Sequence, residues 1–291
     1  MKKIVYLILH YRAVADTTEC IESILRLKKE NIIQKIVVVD NGSADGSYEK
    51  LLQIFKENND VVILHSQYNL GFAKGNNIGF QYAKKNLGAD FIVQLNNDTL
   101  IQQENFNEII ISKFNDNHYW ILGPDIVTAD GYHQNPVLDR KWTIKKLRQE
   151  RLKKRIRILL FFLHLDRIVL HLQKSKNEIY QKTKLEQDVK DTMLHGACLI
   201  FSRYYIQQFD GMDSRTFLYM EEDILRLYAN HYNYLMMYSG DLEIYHKEDI
   251  STKKAIPDQR SRMIQHDKNI INSSKVYERI KKELANASKT E

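Results

Sequence analysis

Three polar residues, Asn96-Asn97-Asp98, follow a short apolar run that extends from Phe91 to Leu95. A short apolar run with a polar end is typical of a buried strand. In an open α/β sheet, ligands bind beyond the C-terminal ends of the strands. Asn and Asp oxygens are hard ligands that suit Mg²⁺ or Mn²⁺ and, through these ions, phosphate oxygens. The alternative is a strand that ends in an ordinary Asx turn.

The elements that would position these residues are visible as an alternation of patterns. Short apolar, β-branched runs have the composition of buried strands, and they lie at 3–10, 35–39, 61–64 and 91–95. Amphipathic stretches between them predict helices. This alternation at short spacing indicates a parallel sheet covered on both faces. Polar loops follow the last three runs, at 40–43, 69–77 and 96–98, and in a parallel sheet they share one edge.

The same loops exclude two classes of nucleotide-binding protein. The chain contains no G-x-G-x-x-G fingerprint and no G-K-[ST] phosphate loop, so a dinucleotide enzyme and a P-loop ATPase are not expected. A nucleotide site stays open, because Asp40 can accept from a base N–H or a ribose hydroxyl. Gly71 and Gly75 would let the backbone approach a ligand closely. The alternative is that both glycines serve a turn and helix packing.

Candidate acid–base residues occur later in the chain. Glu221-Glu222-Asp223 are predicted in the first turn of a helix, where acids complement the helix dipole. One of them is also a candidate general base, which requires a carboxylate close to the hydroxyl to be deprotonated. His246 ends a predicted strand and is either a ligand or an ordinary surface histidine. Near the N-terminus, Asp16 and Glu19 fit a capping box.

Composition bounds the class of protein. The chain has 291 residues, of which 43% are hydrophobic, with 43 basic and 37 acidic residues. These values are those of a folded globular protein with a sizeable core. Cys20 and Cys198 have no disulfide or metal spacing, which weakly favours a reducing compartment. The apolar run from Ile4 to Leu9 is too short for a signal peptide, and no window of about 20 apolar residues predicts a membrane span.

Basic residues are concentrated in one segment. Residues 140–157 contain ten basic residues and one acid, although the whole chain carries only +6. The segment 141–190 has helical periodicity without Gly or Pro, and 156–172 is apolar but interrupted by charge. A basic stretch joined to an apolar helix is typical of a segment at a membrane surface with anionic lipid. The alternatives are a helix that packs on its own domain and a nucleic-acid-binding segment, which its few aromatics disfavour.

Taken together, the motifs resemble those of the family 2 inverting nucleotide-sugar glycosyltransferases, especially the bacterial rhamnosyltransferase-like branch. The resemblance covers roughly residues 3–128 and 191–251. Each motif is weak alone, but their order and spacing are strong. The motifs are Asp40-Asn41-Gly42-Ser43, Asn69-x-Gly71-Phe72-Ala73-x-Gly75-Asn76-Asn77, Leu95-Asn96-Asn97-Asp98, His195-Gly196-Ala197-Cys198-Leu199-Ile200, Gly211-Met212-Asp213, Glu222-Asp223 and His246-x-x-x-x-Ser251.

The resemblance implies an α/β protein of the GT-A type, with a mixed, mostly parallel sheet flanked by helices. It implies a nucleotide-sugar-binding half at 1–139 and an acceptor and catalytic half of the same domain at 191–251. The pattern of the chain itself adds a basic helical insert at 140–190 and a helical tail at 252–291. The cofactor that the resemblance implies is a divalent metal, Mg²⁺ or Mn²⁺.

The resemblance also implies roles for residues. Asp223 matches the catalytic base, with Glu222 sharing the acidic role, and Asp98 and His246 match metal-site residues. The acceptor would be bordered by His195, Gly196 and Ala197. The donor-binding set is His10, Tyr11, Asp40, Asn41, Asn69, Gly71, Phe72, Lys74, Gly75, Asn76, Asn96 and Asn97.

Two positions depart from the family pattern. The metal motif begins with Asn96, a neutral ligand, which predicts modest metal affinity. The position two residues after the base, where the family often has another acid, is Leu225. The insert lies outside the resemblance altogether.

The implied activity is inverting, metal-dependent transfer of a sugar from a nucleotide diphosphate, dTDP-rhamnose or a UDP-hexose, to a hydroxyl of a lipid-linked glycan. The implied setting is synthesis of a cell-surface polysaccharide such as capsule or O-antigen, at the cytoplasmic face of the cell membrane, with no nucleic-acid partner. The alternatives are an inactive glycosyltransferase-like binding protein and a sugar nucleotidyltransferase. The latter is disfavoured because no glycine occurs in His10-Tyr11-Arg12-Ala13.

Overall fold

The computed structural model describes residues 1–137, 141–165, 183–248 and 258–288. The strands are β1 Lys2–His10, β2 Ile32–Asn41, β3 Val61–Ser66, β4 Phe91–Asn96, β5 Thr99–Leu100, β6 Ile121–Thr128, β7 Val189–Lys190, β8 Cys198–Ser202 and β9 Met236–His246. The helices are α1 Val14–Leu25, α2 Ser47–Phe55, α3 Phe72–Lys85, α4 Phe106–Asn117, α5 Ile144–Phe162, α6 Arg203–Gln208, α7 Glu221–Tyr232 and α8 Gln259–Ala287.

One nine-stranded sheet organises the described chain, in the order β3-β2-β1-β4-β8-β6-β9-β5, with β7 paired to β9. The first four strands are parallel, and their register places His10 beside Asp40 and Leu9 beside Asn96. The polar residues that end β1, β2 and β4 therefore lie along one edge, as the sequence predicts.

The second half of the chain completes the same sheet with mixed polarity. Strand β8 lies antiparallel between β4 and β6, and it pairs Cys198 with Leu95. Strand β9 runs parallel to β6 and antiparallel to β5. Because β8 neighbours β4, the loop that precedes β8 lies next to the C-terminal end of β4, and the backbone N–H of Asn96 donates to the carbonyl of Ala197 at 3.0 Å.

The core lies on both faces of this sheet because its central strands are apolar on both sides. In β1, Tyr6 and Ile8 pack on one face, whereas Val5 and Leu7 pack on the other. The sheet is therefore a two-sided layer between helices, which is typical of strands with continuous apolar runs. The two cysteines are free buried core residues, and burial raises the pKa of Cys20 to about 12, so this thiol is no nucleophile at neutral pH.

Three local predictions are wrong. Helix α1 begins at Val14 with Ala13 as the N-cap, so Asp16 lies inside its first turn and is not the N-cap. The sequence predicts two strands, at 234–238 and 242–245, but β9 is continuous from Met236 to His246. Its register with β6 shifts between Pro124 and Asp125, and this shift accommodates residues 240–242. Residues 189–190 form a strand, so the helical prediction fails at the end of the insert.

The basic helix α5 packs against the C-terminal helix α8. Leu147 at its N-terminal end joins a small apolar cluster with Ile224 and Tyr277. Arg151 bonds Glu278 at 2.6 Å, and Arg157 bonds the fully buried Asp267. The inner face of the insert is therefore held by its own chain, and Thr143 caps the helix by accepting from the N–H of Lys146 at 3.2 Å.

Candidate functional site

Asp98 and His246 meet at the edge where β4 and β9 end. Asp98 Oδ1 lies 3.3 Å from His246 Nε2, and both side chains are almost fully buried. The pairing of Thr99 with His246 across β5 and β9 fixes this approach, and the N–H of Lys247 donates to the carbonyl of Asp98 at 3.0 Å. Two residues far apart in sequence, predicted as metal ligands, are thus brought together.

Gln134 determines which nitrogen of His246 faces Asp98. Gln134 Nε2 donates to Glu248 Oε1, which turns the amide oxygen of Gln134 towards His246 Nδ1 at 2.7 Å. An amide oxygen only accepts, so Nδ1 carries the proton. In the neutral ring, Nε2 then presents a lone pair beside the Asp98 carboxylate, as in a histidine oriented by a polar neighbour for metal binding.

Asp40 is buried at the end of β2 and is held by its neighbours. Ser43 donates its hydroxyl to Asp40 Oδ1, and His65 Nδ1 lies 2.9 Å from Oδ2. His10 Nε2 lies 3.8 Å from Oδ1. The loop after β1 is held against the loop after β2, because Arg12 donates to the backbone carbonyl of Ser43 at 3.1 Å. Tyr11, the other donor-binding candidate here, lies with its ring 5.1 Å from the Arg12 guanidinium.

A second polar chain joins β1 to the metal motif. His10 Nδ1 lies 2.7 Å from Thr17 Oγ1, and Asn97 Nδ2 donates to the same oxygen at 3.1 Å. Asn96 contributes its backbone to the turn, since its carbonyl accepts from Thr99 Oγ1 at 2.7 Å. The ends of β1, β2 and β4 are therefore joined by side-chain contacts as well as by register.

Asn41 fixes the loop after β3. Its Nδ2 donates to Asn69 Oδ1 at 3.2 Å and to the carbonyl of Gly71 at 3.1 Å, and its Oδ1 accepts from the N–H of Leu70 at 3.0 Å. Gly71 has φ +82°, and a Cβ there would lie 2.2 Å from the carbonyl oxygen of Phe217. Glycine is required at this position by both conformation and space. The adjacent N–H of Phe72 donates to that same carbonyl at 2.8 Å.

The remaining donor-loop candidates take different positions. Gly75 packs helix α3 onto the sheet, because a Cβ there would lie 2.7 Å from a methyl carbon of Leu9. Asn76 is fully buried and donates to the carbonyl of Phe72 at 3.0 Å within its own helix. Lys74 is exposed on the same helix. Gly75 thus serves helix packing, which was the alternative to close approach of a ligand.

The loop His195-Gly196-Ala197 lies between the residues of the metal motif and helix α7. The rings of His195 and His246 lie 6.0 Å apart. The N–H of Gly196 donates to Glu222 Oε1 at 3.1 Å, and a Cβ on Gly196 would lie 2.3 Å from that oxygen. The acidic pair of α7 is therefore brought up to the same edge as Asp98 and His246.

Asp223 faces a cavity of about 340 Å³ beside the start of α5. The indole Nε1 of Trp142 donates to Asp223 Oδ1 at 2.8 Å and orients the carboxylate. The cavity is also lined by Thr143, Arg226 and Tyr277. A buried, oriented carboxylate on a cavity of this size can accept a proton from a hydroxyl that enters it.

Glu221 has a different environment from the other two acids. It is buried and accepts from Thr216 Oγ1 at 2.9 Å. Burial, followed by the charge of Glu222, raises the pKa of Glu221 well above its ordinary value of 4.5. Two carboxylates at successive positions of one helix turn cannot both ionise cheaply. Glu221 is therefore held within the fold, whereas Glu222 contacts the loop at Gly196 and Asp223 faces the cavity.

Three residues of this site were not found from the sequence. Trp142 holds the candidate base, Gln134 orients His246, and Asn135 accepts from the N–H of His195 at 2.7 Å. Each contacts a partner at least 60 residues away in the chain. None belongs to a recognisable motif, so no local signal identified them. Ser251, the last residue of the quoted motifs, lies outside the described residues.

The mixed nine-stranded sheet, flanked by helices and with polar loops along one edge, has the architecture of the GT-A type. The model of glycosyl transferase family 2 matches residues 7–209. The chain therefore belongs to glycosyl transferase family 2, which confirms the family predicted from its motifs. The rhamnosyltransferase-like branch stays a prediction.

Relatives with known names match only part of the chain. Poly-beta-1,6-N-acetyl-D-glucosamine synthase of Staphylococcus aureus (strain COL) is 29% identical over 104 residues, which cover 36% of this chain and 24% of the synthase. Glycosyltransferase GlyG of Streptococcus pneumoniae serotype 4 (strain ATCC BAA-334 / TIGR4) is 32% identical over 85 residues, which cover 29% of this chain and 26% of GlyG. The matches thus span about a quarter of these relatives.

Solved structures share the fold over nearly the whole chain. TarS 1-349 of S. aureus superimposes with a TM-score of 0.53 at 12% identity, over 93% of this chain and 69% of TarS 1-349. The same protein in complex with UDP superimposes with a TM-score of 0.53 at 13% identity, over 92% and 65%. The prediction of a GT-A-type mixed, mostly parallel sheet flanked by helices is confirmed.

Proposed function

We propose that this protein is an inverting glycosyltransferase that moves a sugar from a nucleotide diphosphate to a hydroxyl of a lipid-linked or oligosaccharide acceptor in cell-surface polysaccharide synthesis. The observation that carries the proposal is the approach of Asp98 to His246 at 3.3 Å at the strand edge, beside the loop at Gly196 that Glu222 of α7 holds. The family and the printed names of its relatives, a polysaccharide synthase among them, support it.

The donor end of the proposed site is formed by the loops that follow β1, β2 and β3. UDP is the ligand named for the similar TarS structure, and it supports a UDP-hexose donor here, with dTDP-rhamnose as the second candidate. The rigid loop Asn69–Gly71 and the buried Asp40 would bind the nucleotide part. The cytoplasmic face of the membrane, where nucleotide sugars are made available, is the proposed location.

A divalent ion, Mg²⁺ or Mn²⁺, fits the residues at the strand edge. Asp98 offers a carboxylate oxygen and His246 a lone pair on Nε2, and within the described ranges no group of three acidic, histidine or cysteine residues forms a closed cage. Mg²⁺ commonly binds through one or two protein ligands together with phosphates and water. When bound, the ion would neutralise the charge that develops on the departing diphosphate.

The protein's own residues supply the remaining chemistry. Asp223 accepts the proton of the acceptor hydroxyl as that oxygen attacks the anomeric carbon on the face opposite the diphosphate, so one displacement inverts the centre. Trp142 keeps Asp223 oriented towards the cavity, and Glu222 fixes the loop at Gly196 through its hydrogen bond. General-base assistance of this kind typically contributes about 10²–10⁴ in rate.

The test is nucleotide release from a panel of UDP- and dTDP-sugars, measured with Mn²⁺ and with EDTA, in the wild type and in Asp223→Asn. We expect one donor class to be turned over with metal, and Asp223→Asn to lower transfer about 10²–10⁴-fold while donor affinity is kept. The Asn side chain still accepts the Trp142 hydrogen bond, so the site keeps its geometry. Wild-type turnover by Asp223→Asn would refute the role of Asp223.

A further inference from the structure

Helix α5 presents an apolar stripe to solvent on the side away from α8. Leu152, Ile156, Leu159 and Leu163 follow one another at helical spacing along one face and are between 49% and 59% exposed. The inner face of the same helix is formed by Leu147, Arg151, Lys154, Ile158 and Phe161, of which Leu147 and Phe161 are buried. Helix α5 is therefore apolar on two sides, although only the inner one is packed in the part of the chain that the structure describes.

The basic residues of α5 divide in the same way. Arg151, Lys154 and Arg157 point inward and bind Glu278 or Asp267 on α8. At 100° per residue, Arg155 lies along one flank of the outer stripe and Lys146 and Lys153 along the other, whereas Arg148, beside Arg155, lies 3.6 Å from Glu278 on α8. All four are exposed. The inner cations attach α5 to its own domain, and the outer cations border an apolar surface.

We propose that this outer face of α5, the stripe Leu152-Ile156-Leu159-Leu163 with its basic flanks, docks on the surface of an anionic lipid bilayer. The apolar side chains enter the interface between headgroups and acyl chains, and the flanking cations bind lipid phosphates. The segment was predicted to meet a membrane from its composition alone. The structure assigns the contact to one face and leaves the other cations to intramolecular ion pairs.

The position of α5 relative to the cavity is consistent with docking on a lipid bilayer. Thr143, the N-cap of α5, lines the cavity that also contains Asp223. Docking of α5 would hold that cavity near the bilayer surface, where the hydroxyl of a lipid-linked acceptor is presented. This step rests on the proposed function, whereas the docking itself does not.

Charge favours a bilayer over two other occupants. A second copy packed stripe to stripe would bring the basic flanks of both copies together, which is unfavourable for like charges. Nucleic acid would satisfy the cations but would leave the aliphatic stripe exposed, because binding of single strands uses aromatic side chains. An anionic bilayer can both bind the cations through its phosphates and bury the apolar stripe.

The experiment is co-sedimentation of the full chain with vesicles of phosphatidylcholine alone and of phosphatidylcholine with about 30 mol% phosphatidylglycerol. We expect binding to the anionic vesicles only, and about a tenfold or greater loss of binding in Ile156→Glu. The matched control is Ile54→Glu on α2, since Ile54 is 51% exposed and Ile156 is 49% exposed. The control should bind like the wild type.

A second set of variants tests the role of the basic residues that flank the stripe. Lys153→Gln with Arg155→Gln should weaken binding to anionic vesicles and reduce its salt dependence, whereas Lys50→Gln with Lys56→Gln should not. Equal binding by Ile156→Glu and the wild type overturns the proposal, as does binding to an RNA 30-mer that competes with vesicles and survives Ile156→Glu. A wild-type dimer that becomes monomeric in Ile156→Glu would assign the stripe to a second copy.

Two further readouts separate the possible failures. Turnover of the nucleotide sugar with water or a soluble acceptor should be the same in Ile156→Glu and the wild type, so a loss of vesicle binding is distinguishable from a loss of the proposed activity. The thermal midpoint of Ile156→Glu should stay within a few degrees of the wild type. A large drop would show that the chain itself covers the stripe, and would also overturn the proposal.

Discussion

At the scale of single residues, the site depends on groups that orient other groups. Asp98 and His246 were candidates from sequence because strand ends in an α/β sheet are where ligands bind, and the family resemblance implies their role as metal-site residues. Gln134 was not, because its role depends on a hydrogen bond to a residue 112 positions away. Sequence order predicts which side chains reach the edge, but their partners depend on how distant loops pack.

The Asp98–His246 pair can be tested against a second Asp–His pair in the same chain. Asp125 is buried 2.8 Å from His133, outside the proposed site. We expect Asp98→Ala to abolish the Mn²⁺-dependent part of donor binding, measured by calorimetric titration, because the ion loses its carboxylate ligand. Asp125→Ala removes an equally buried carboxylate and should leave that part intact. An unchanged titration for Asp98→Ala contradicts the assignment.

Trp142 is a positioning residue for Asp223. Replacing it by Phe keeps the ring and removes the N–H donor, so the carboxylate loses a hydrogen bond that favours its charged form. We expect kcat to fall about tenfold with little change in donor KM, and the acidic limb of the pH–rate profile to move to higher pH. Trp120→Phe, at the stacked contact with Tyr234, is the control. A profile unchanged by Trp142→Phe would indicate a packing role only.

At the scale of elements, predictions worked where a segment's pattern is set by burial alone. The runs at 3–10 and 91–95 are strands because both of their faces are covered. Predictions failed where a contact with another element decides the outcome. Asp16 and Glu19 were expected to cap α1, but both carboxylates face the ammonium of Lys247, with Asp16 at 3.5 Å. Two strands were expected at 234–238 and 242–245, but β9 is continuous, and the missing side chain of Gly240 lets the backbone at Leu185 pass closely.

The docking of α5 on α8 rests on Asp267. Burial would raise the pKa of this carboxyl, but hydrogen bonds from His266 and Arg157 and the charge of Lys154 lower it to about 2. Because the folded pKa is below the unfolded value of 3.8, the stabilisation is present above about pH 4 and is lost as the pH falls towards 2.

Asp267→Asn should therefore lower the free energy of unfolding at pH 7 by on the order of 2 kcal/mol. This is less than the loss of a fully buried pair, since Arg157 and Lys154 are partly exposed and can bind water. Denaturant unfolding at pH 7 and pH 2.5 measures the effect, which should fall to about a third at the lower pH, because a carboxyl with a pKa of about 2 is still partly ionised there. Asp116→Asn, on the exposed end of α4, is the control. An equal loss at both pH values would contradict an ionic origin.

At the scale of the whole molecule, two carboxyl groups give stability opposite dependences on pH. Asp267 stabilises the folded chain once it is ionised. Glu221 has a raised pKa, so its contribution is fully present below its unfolded pKa of about 4.5 and is lost as the pH rises through the folded value. The stability of the protein should therefore be greatest in mildly acidic solution and decline towards pH 8.

Glu221→Gln isolates the second of these effects. The amide oxygen can still accept from Thr216, but no buried charge forms at high pH. We expect the variant to match the wild type near pH 5 and to be more stable by on the order of 1–2 kcal/mol at pH 8, as measured by denaturant unfolding at both values. Wild-type behaviour of the variant at pH 8 would show that Glu221 is not the residue responsible for the decline.

The contact of Gly196 with Glu222 has a consequence for engineering the specificity of this protein. A single methyl group at position 196 would lie 2.3 Å from a carboxylate oxygen of Glu222 and would displace this side chain from its hydrogen bond with the loop, so the loop at 195–197 and the first turn of α7 are coupled. A chimaera that imports the loop from a relative must import that turn with it. The two segments, separated by more than twenty residues, form a single exchangeable module.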